Sequence, residues 1–326
     1  MLAPDLLAPL SDRLMTSATG VYAIALVGFA AQAAYGVRGR VGRTLAQPVV
    51  VGAGPPADGG SHASAGTVRR GKADVAGRAA VALTLLGFAL HVTATVARGL
   101  AAGRAPWGNM YEFATGSALA TVGVFLVLLA RRDVRHLGTL VLLPVVLGMG
   151  LALTVFYAES GPLIPALNSS WLAIHVTAAV VSSGIFTVAT AATVLYLFAD
   201  AADRRVRAGR RPGALAGIAR GLASPEALDR TAYRTVAFGF PLWTFAVIAG
   251  AIWAEAAWSR YWGWDPKETW AFITWVLYAG YLHARATAGW RGRAAAWIAL
   301  AAFAAFLFNL FGVNIWITGL HSYAGV

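Results

Sequence analysis

Four of the six histidines in this sequence lie in or beside long apolar runs, where an ionisable side chain is costly and often marks a function. His91 and His283 fall inside two of these runs, His175 lies one turn into another, and His321 lies just beyond the last. One buried histidine is commonly structural, but two at the same membrane level are harder to explain in that way. Neutral imidazole is a usual ligand for haem iron, and two histidines from different helices can bind both axial positions of one iron.

The segment WSRYWGWDPKETWAFITW, residues 258–275, gathers flat aromatic side chains beside charges. Half of the 12 tryptophans lie between residues 253 and 275. An interfacial aromatic belt explains one or two tryptophans at each helix end, but not this density. A haem needs a flat apolar surface for its ring and basic or hydrogen-bonding partners for its propionates, and this segment offers both.

The same segment contains the pattern of a helix start. Asp265 stands in the N-cap position, Pro266 in the first helical position, and Glu268 three residues after the cap. This spacing predicts a capping box, in which the two carboxylates bond to main-chain N–H groups at the helix start. We therefore assign Asp265 mainly to the cap, which would also hold the neighbouring tryptophans in place.

The elements that must position these residues are membrane spans. The 326 residues are 58% hydrophobic and 12% charged, whereas a soluble domain has about 25% charged residues. A spanning segment must satisfy its own backbone hydrogen bonds, so we predict an all-α polytopic membrane helical bundle of about eight transmembrane helices. The predicted spans are residues 20–37, 79–97, 114–130, 137–157, 171–199, 235–254, 270–287 and 294–316.

The net charge of +12 is explained by the distribution of basic residues between the loops. Of the 26 Lys and Arg residues, 21 fall in the linkers 38–78, 131–136, 200–234 and 285–293. Basic loops stay in the cytoplasm, so we predict no nucleic-acid partner, both termini extracytoplasmic, and the tryptophan segment on the extracytoplasmic face. Without cysteine the chain can form no disulfide, thiolate metal site or Cys nucleophile, so any thiol chemistry must use thiols of a partner.

The chain divides into three parts. Residues 1–37 form an N-terminal segment with the first span, residues 38–78 a cytoplasmic flexible linker rich in Gly, Ala and Pro, and residues 79–326 the transmembrane domain with an outer segment at 255–270. Ser224-Pro225-Glu226 predicts the start of a short helix in the third basic linker.

Residues 258–285, WSRYWGWDPKETWAFITWVLYAGYLHAR, resemble the tryptophan-rich WWD signature of haem-handling proteins. The DPKETWA variant followed by YLHAR is similar to the CcsA/ResC type of cytochrome c biogenesis protein, also called CcsB. The segments PWGNMYEF, WLAIHV and GLHSYA, which begin at residues 106, 171 and 319, support the resemblance. Ser259 departs from the pattern, since a glycine often follows the first tryptophan.

The resemblance implies a function in System II cytochrome c biogenesis at the plasma membrane. The protein would act with a ResB/Ccs1-type membrane protein as a subunit of a holocytochrome c synthase. It would bring haem b to the outer face, where the two thiols of a CxxCH motif in apocytochrome c add to the vinyl groups. No catalytic residue is assigned, because the haem carries the reactive groups.

The resemblance also implies roles for particular residues. His175 and His321 correspond to the two outer histidines that hold haem iron, and His283 to a ligand of a second haem site within the membrane. The opposite ligand of that inner site would lie on the partner, and His91 would either replace it or be structural. The expected haem-binding residues are His175, His321, His283, Trp258, Trp262, Trp264, Trp270, Asp265 and Lys267, the lysine acting on a propionate.

Three alternatives are weighed against this function. The first is a haem transporter or chaperone that passes haem to a separate ligase. The second is a membrane electron carrier of the cytochrome b kind, which is disfavoured because the four candidate histidines fall on four different segments. The third is a structural subunit with incidental aromatic residues, which leaves the histidines within the spans unexplained.

Overall fold

A computed structural model of the chain describes residues 4–45, 71–161, 169–210, 222–287 and 289–321. Within these ranges the chain is helical and contains no strand, which confirms the predicted all-α class. The helices are α1 (Pro4–Leu45), α2 (Lys72–Ala102), α3 (Met110–Arg131), α4 (Gly138–Thr154), α5 (Ser170–Arg207), α6 (Pro225–Trp258), α7 (Pro266–Ala286), α8 (Arg293–Leu307) and the short α9 (Val313–Trp316). A 3₁₀ turn (Arg135–Leu137) precedes α4, and a π turn (Phe308–Gly312) joins α8 to α9.

The number of long helices agrees with the predicted bundle. In the described ranges, α1 to α6 and the continuous segment from α8 to α9 are long and apolar enough to cross a membrane. Helix α7 has 21 residues, which is also enough to span, and its polar residues lie mostly at its two ends. The assignment of each end of the bundle to one side of the membrane stays a prediction.

The helix predicted after Ser224 is not short: the Ser224 side chain caps the first turn of the 34-residue α6, which includes the predicted span 235–254. Helix α1 continues to residue 45 and α2 begins at residue 72, so both helices extend into the predicted linker 38–78. The rest of that linker, residues 46–70, lies outside the described residues.

Ion pairs join the loops at the end of the bundle remote from the tryptophan segment, which we call the far end. Arg135 Nη1 lies 3.2 Å from Asp74 Oδ1, and Arg285 makes two hydrogen bonds of 2.6 and 2.9 Å with Asp229. Both arginines come from predicted basic linkers. The connections α1–α2, α3–α4, α5–α6 and α7–α8 therefore meet at one end, and the remaining connections lie at the other, which we call the site end.

Small residues let neighbouring helices approach closely, as expected where lipid supplies no hydrophobic force between helices. A Cβ atom on Gly184 of α5 would lie 2.6 Å from the backbone of Ala120 and Thr121 in α3. A Cβ atom on Gly28 of α1 would lie 2.9 Å from Ala80 in α2. The contact at Gly184 fixes α5 against α3, and with it the histidine near the start of α5.

Candidate functional site

A cavity opens among the site ends of α3, α5, α6, α7 and the π turn. Its empty space, counted together with the open space at its mouth, is about 1120 Å³. Its lining is mostly apolar and aromatic, and it contains two of the predicted histidines. The lining includes His175, His321, Trp107, Trp253, Trp258, Trp262, Lys267, Glu268 and Asn309.

His175 is held in one ring orientation by helix α6. Its Nδ1 lies 2.7 Å from the main-chain oxygen of Ala246, and because a carbonyl only accepts, Nδ1 carries the proton. The lone pair is then on Nε2, the atom that would bind a metal. Gly250 makes room for the ring, since a Cβ atom there would lie 2.8 Å from Nδ1 and Cε1. The ring lies parallel to Trp253, with centroids 6.2 Å apart.

His321 reaches the same cavity from the C-terminal segment that follows α9. Its Nδ1 lies 2.9 Å from Asp265 Oδ2, so Nδ1–H donates to the carboxylate and the lone pair is again on Nε2. The ring meets Trp258 and Trp253 edge to face, with centroids 5.1 and 5.8 Å apart. The structure thus brings both predicted outer histidines to one cavity, each beside Trp253.

Electrostatics favour this arrangement of Asp265 and His321. Burial acts to raise the pKa of Asp265, but hydrogen bonds from His321 and from the N–H groups of Leu320 and Lys267 outweigh it and leave the pKa below its ordinary value. Burial lowers the pKa of His321 below its ordinary value, against the opposing bond to Asp265. At neutral pH the pair is therefore a carboxylate and a neutral imidazole, the state in which histidine binds metals.

The capping box predicted at the start of α7 is confirmed. Asp265 Oδ2 accepts from the N–H of Lys267 at 3.2 Å, and Glu268 Oε2 accepts from the N–H of Asp265 at 3.1 Å and of Gly263 at 2.8 Å. Asp265 Oδ1 also accepts from the N–H of Leu320 at 2.7 Å. One carboxylate therefore starts α7, fixes the C-terminal segment and orients His321.

The predicted tryptophans divide into two pairs. Trp258 and Trp262 line the cavity. Trp264 and Trp270 lie outside that lining: the Trp264 side chain is largely exposed, and Trp270 packs on Phe308 of the π turn with centroids 4.2 Å apart. Trp264 has a φ of 59°, in the left-handed region, and its ring meets Trp262 edge to face with centroids 5.7 Å apart.

The cavity is also lined by two tryptophans that are not among the predicted site residues. Trp253 comes from the last turns of α6, and Trp107 from the loop between α2 and α3. Trp253 belonged to the aromatic cluster, and Trp107 to the quoted segment PWGNMYEF, so a signal for each was present in the sequence. Trp107 packs over Gly116, where a Cβ atom would lie 2.6 Å from its ring.

A buried cluster of charges fixes the loop that carries Trp107. The Glu112 carboxylate accepts from Arg98 Nε at 2.8 Å, from Arg104 Nη1 at 2.8 Å and from the N–H of Gly108 at 2.7 Å. Its side chain is fully buried, and that of Arg98 is 3% exposed. Buried charges of this kind hold a geometry because separating them would leave one unpaired in an apolar setting.

The remaining predicted ligands lie elsewhere. His283 is exposed near the far end of α7, on one stripe of exposed residues with Val276 and Gly280. His91 is fully buried, its ring centroid is 5.9 Å from that of Tyr22, and neither ring nitrogen has a hydrogen-bond partner among the described residues. Neither histidine lines the cavity.

Fold and site together define a class of protein. Its described residues form a helical membrane protein with an aromatic cavity that two oriented histidines border at one end of the bundle. Within the described ranges no three His, Cys, Asp or Glu residues form a metal-ion site, whereas a bare zinc ion needs three or four such ligands.

Comparison with known proteins gives the family. The family model described as cytochrome C assembly protein matches residues 107–321, and the chain belongs to this family. The cytochrome c biogenesis protein CcsA of Synechocystis sp. is 34% identical over an alignment of 283 residues, and the match covers 72% of this chain and 84% of that protein. CcsA of Porphyra purpurea is 32% identical over 277 residues, 75% of this chain and 86% of the relative. Membership ties the chain to the assembly of c-type cytochromes.

A solved structure shares the fold. The cytochrome c haem lyase CcmF superposes with a TM-score of 0.60 over 95% of this chain, at 17% sequence identity. The chain spans about half of that larger protein, 47% of its length. At this identity the likeness concerns the arrangement of helices.

Proposed function

We propose that this protein binds haem b in the site-end cavity and presents it for covalent attachment to apocytochrome c, as one subunit of a cytochrome c synthase. The observation that carries the proposal is the pair His175 and His321. Both border one aromatic cavity, and in both the Nδ1 proton is committed to an oxygen acceptor, so Nε2 is the metal-binding atom.

The residues around the two histidines provide surfaces that fit the flat, apolar ring of a porphyrin. Trp258 and Trp262 supply flat apolar surface for a porphyrin ring, and Trp253 and Trp107 complete the wall. Lys267 reaches the same cavity and supplies a cation for a propionate. Binding and orientation are the protein's contributions to the reaction.

The attachment step needs no catalytic group from this chain. Each thiol of the CxxCH motif adds across one vinyl group: sulfur bonds to one vinyl carbon, and the proton passes to the other. The histidine of the motif then replaces one of the two protein histidines on iron, which releases the product. Holding the ring in place makes this addition effectively unimolecular.

The exposed position of His283 supports an inner haem site shared with a ResB/Ccs1-type membrane protein. His283, Gly280 and Val276 face outward from α7, and a Cβ atom on Gly280 would meet nothing within 4 Å. A ring or helix of a partner could therefore approach closely beside the imidazole. Replacing His283 with Ala should lower haem in the complex purified with that partner but leave the outer site filled. Unchanged haem would assign His283 a structural role.

The distribution of basic residues supports the orientation of the site. The far end carries the linkers that hold 21 of the 26 Lys and Arg residues, so we assign it to the cytoplasm. The cavity then opens at the extracytoplasmic face of the plasma membrane, and both termini lie on that side. Cysteine scanning of the two ends with an impermeant thiol reagent tests this, since the chain has no native cysteine.

The test of the proposed function is production of cytochrome c in cells. His175→Gly and His321→Gly variants should each lose holocytochrome c, and added imidazole should restore part of it by filling the space left by the side chain. His136→Ala is a matched control, because this histidine lies in the 3₁₀ turn at the far end. Normal holocytochrome c in either glycine variant would remove the ligand assignment.

A further inference from the structure

Asn309 lies in the π turn that interrupts the last span. π turns are rare and occur often at functional sites. This turn is supported from outside its own helix, because Lys267 Nζ of α7 donates to the Asn309 main-chain oxygen at 3.1 Å. Gly312 permits it, since a Cβ atom there would lie 2.6 Å from the Phe308 ring. The chain therefore maintains an unusual turn at the wall of the cavity.

The Asn309 side chain has the environment of a ligand-binding group. It lines the same cavity as His175 and His321, yet the residue is only 8% exposed. Its Oδ1 is buried and has no hydrogen-bond partner among the described residues. Buried polar side chains are nearly always paired, and an unpaired one at a cavity wall points to a bond with a ligand. Rotation about the last side-chain bond exchanges the amide oxygen and nitrogen, so either can face the cavity.

The charged residues beside Asn309 indicate which chemical group of a ligand would bind at this corner of the cavity. Lys267 borders the cavity beside Asn309, and an anion bound at this corner would favour the charged form of its amino group. Glu268 also borders the cavity, but its carboxylate accepts from the N–H groups of Gly263 and Asp265 and lies 3.5 Å from Arg260 Nη1. Its charge is thus already balanced by three donors.

We propose, resting on the haem-binding function above, that the Asn309 amide donates a hydrogen bond to a propionate carboxylate of the bound porphyrin. The Lys267 ammonium lies beside the same carboxylate. The π turn carries Asn309 at the cavity wall, within reach of such a carboxylate. Asn309 is then a residue that selects porphyrins with free carboxylates.

The test compares two ligands on the purified full-length protein, haem and its dimethyl ester, in which both propionates are methylated. Asn309→Leu keeps the side-chain volume and removes the donor. It should weaken haem binding about tenfold, the usual effect of losing a hydrogen bond to a charged group, and change the affinity for the ester by less than about threefold. Ser182→Ala is the matched control, because the Ser182 hydroxyl is also buried without a hydrogen-bond partner among the described residues but lies outside the cavity lining. It should alter neither the ratio of the two affinities nor the visible spectrum.

Asn309→Asp covers the case in which the leucine variant does not fold. It keeps the size and polarity of the side chain but places a negative charge near the carboxylate, so it should weaken haem more than the ester. Equal effects on both ligands, or unchanged haem affinity, would overturn the assignment while leaving the histidine ligands intact. Wild-type protein that binds neither ligand would instead overturn the haem-binding function itself.

Discussion

Gly250→Ala should disturb the site without removing any polar group. The added Cβ atom would lie 2.8 Å from His175 Nδ1 and Cε1, whereas ordinary contacts begin at 3.4 Å. The ring must therefore move by about 0.6 Å, which is comparable to the tolerance of a preorganised ligand site. Its movement would also stretch the 2.7 Å bond to Ala246 that fixes the tautomer. Loss of a hydrogen bond that orients a metal-binding histidine costs roughly 10- to 100-fold in metal affinity, and we expect about that loss for haem.

The assay is haem titration of the purified variant, followed by its visible spectrum and a thermal unfolding curve. Overpacking should lower the free energy of unfolding by about 1–3 kcal/mol. Gly148→Ala in α4 is the matched control, since a Cβ atom there meets nothing within 4 Å and alanine stabilises a helix interior by about 1 kcal/mol. A Gly250→Ala protein with wild-type haem affinity and spectrum would refute the claim that α6 positions the His175 ring.

Three other substitutions probe the supports of the site. Asp265→Asn removes the charge that orients His321, so haem affinity should fall about tenfold in the same titration. An unchanged haem affinity would show that the carboxylate serves only the helix cap. Glu112→Gln removes the carboxylate that pairs with Arg98 and Arg104, so it should lower the free energy of unfolding by about 3–5 kcal/mol in a thermal or denaturant assay. A loss below about 1 kcal/mol would show that this buried charge cluster does not hold the loop in place. Ser259 follows the last residue of α6 and has a φ of 55°, a conformation that costs a non-glycine residue about 1–2 kcal/mol. Ser259→Gly should therefore raise the unfolding temperature. A lower unfolding temperature would show that backbone conformation does not explain why a glycine often occupies this position.

Local signals in the sequence were sufficient for much of this account. The apolar runs predict the long helices, because each span must be apolar over a fixed length. The capping box at Asp265 depends only on four consecutive residues, and it forms as predicted. The meeting of His175 and His321 at one end of the bundle agrees with the alternation of spans, since each lies at the site end of its span.

The parts that were missed depend on contacts between distant residues. Whether a tryptophan faces the cavity or the outside is set by the turn after α6, where Ser259 and Trp264 adopt positive φ values. No short-range rule distinguishes Trp262, which lines the cavity, from Trp264, which does not. The π turn could not be predicted from the local sequence either, because the hydrogen bond that supports it comes from Lys267, which lies in another helix 42 residues earlier in the chain. Asn309 was recognisable only as one polar residue in an apolar run.

The most direct measurement is the electron paramagnetic resonance spectrum of ferric haem bound to the purified protein at one equivalent. Two imidazole ligands predict a low-spin signal, and His175→Gly and His321→Gly should each convert it to high spin, with added imidazole restoring the low-spin form. A low-spin signal that persists unchanged in either variant would contradict the account, because it would mean that the two histidines do not bind the same iron.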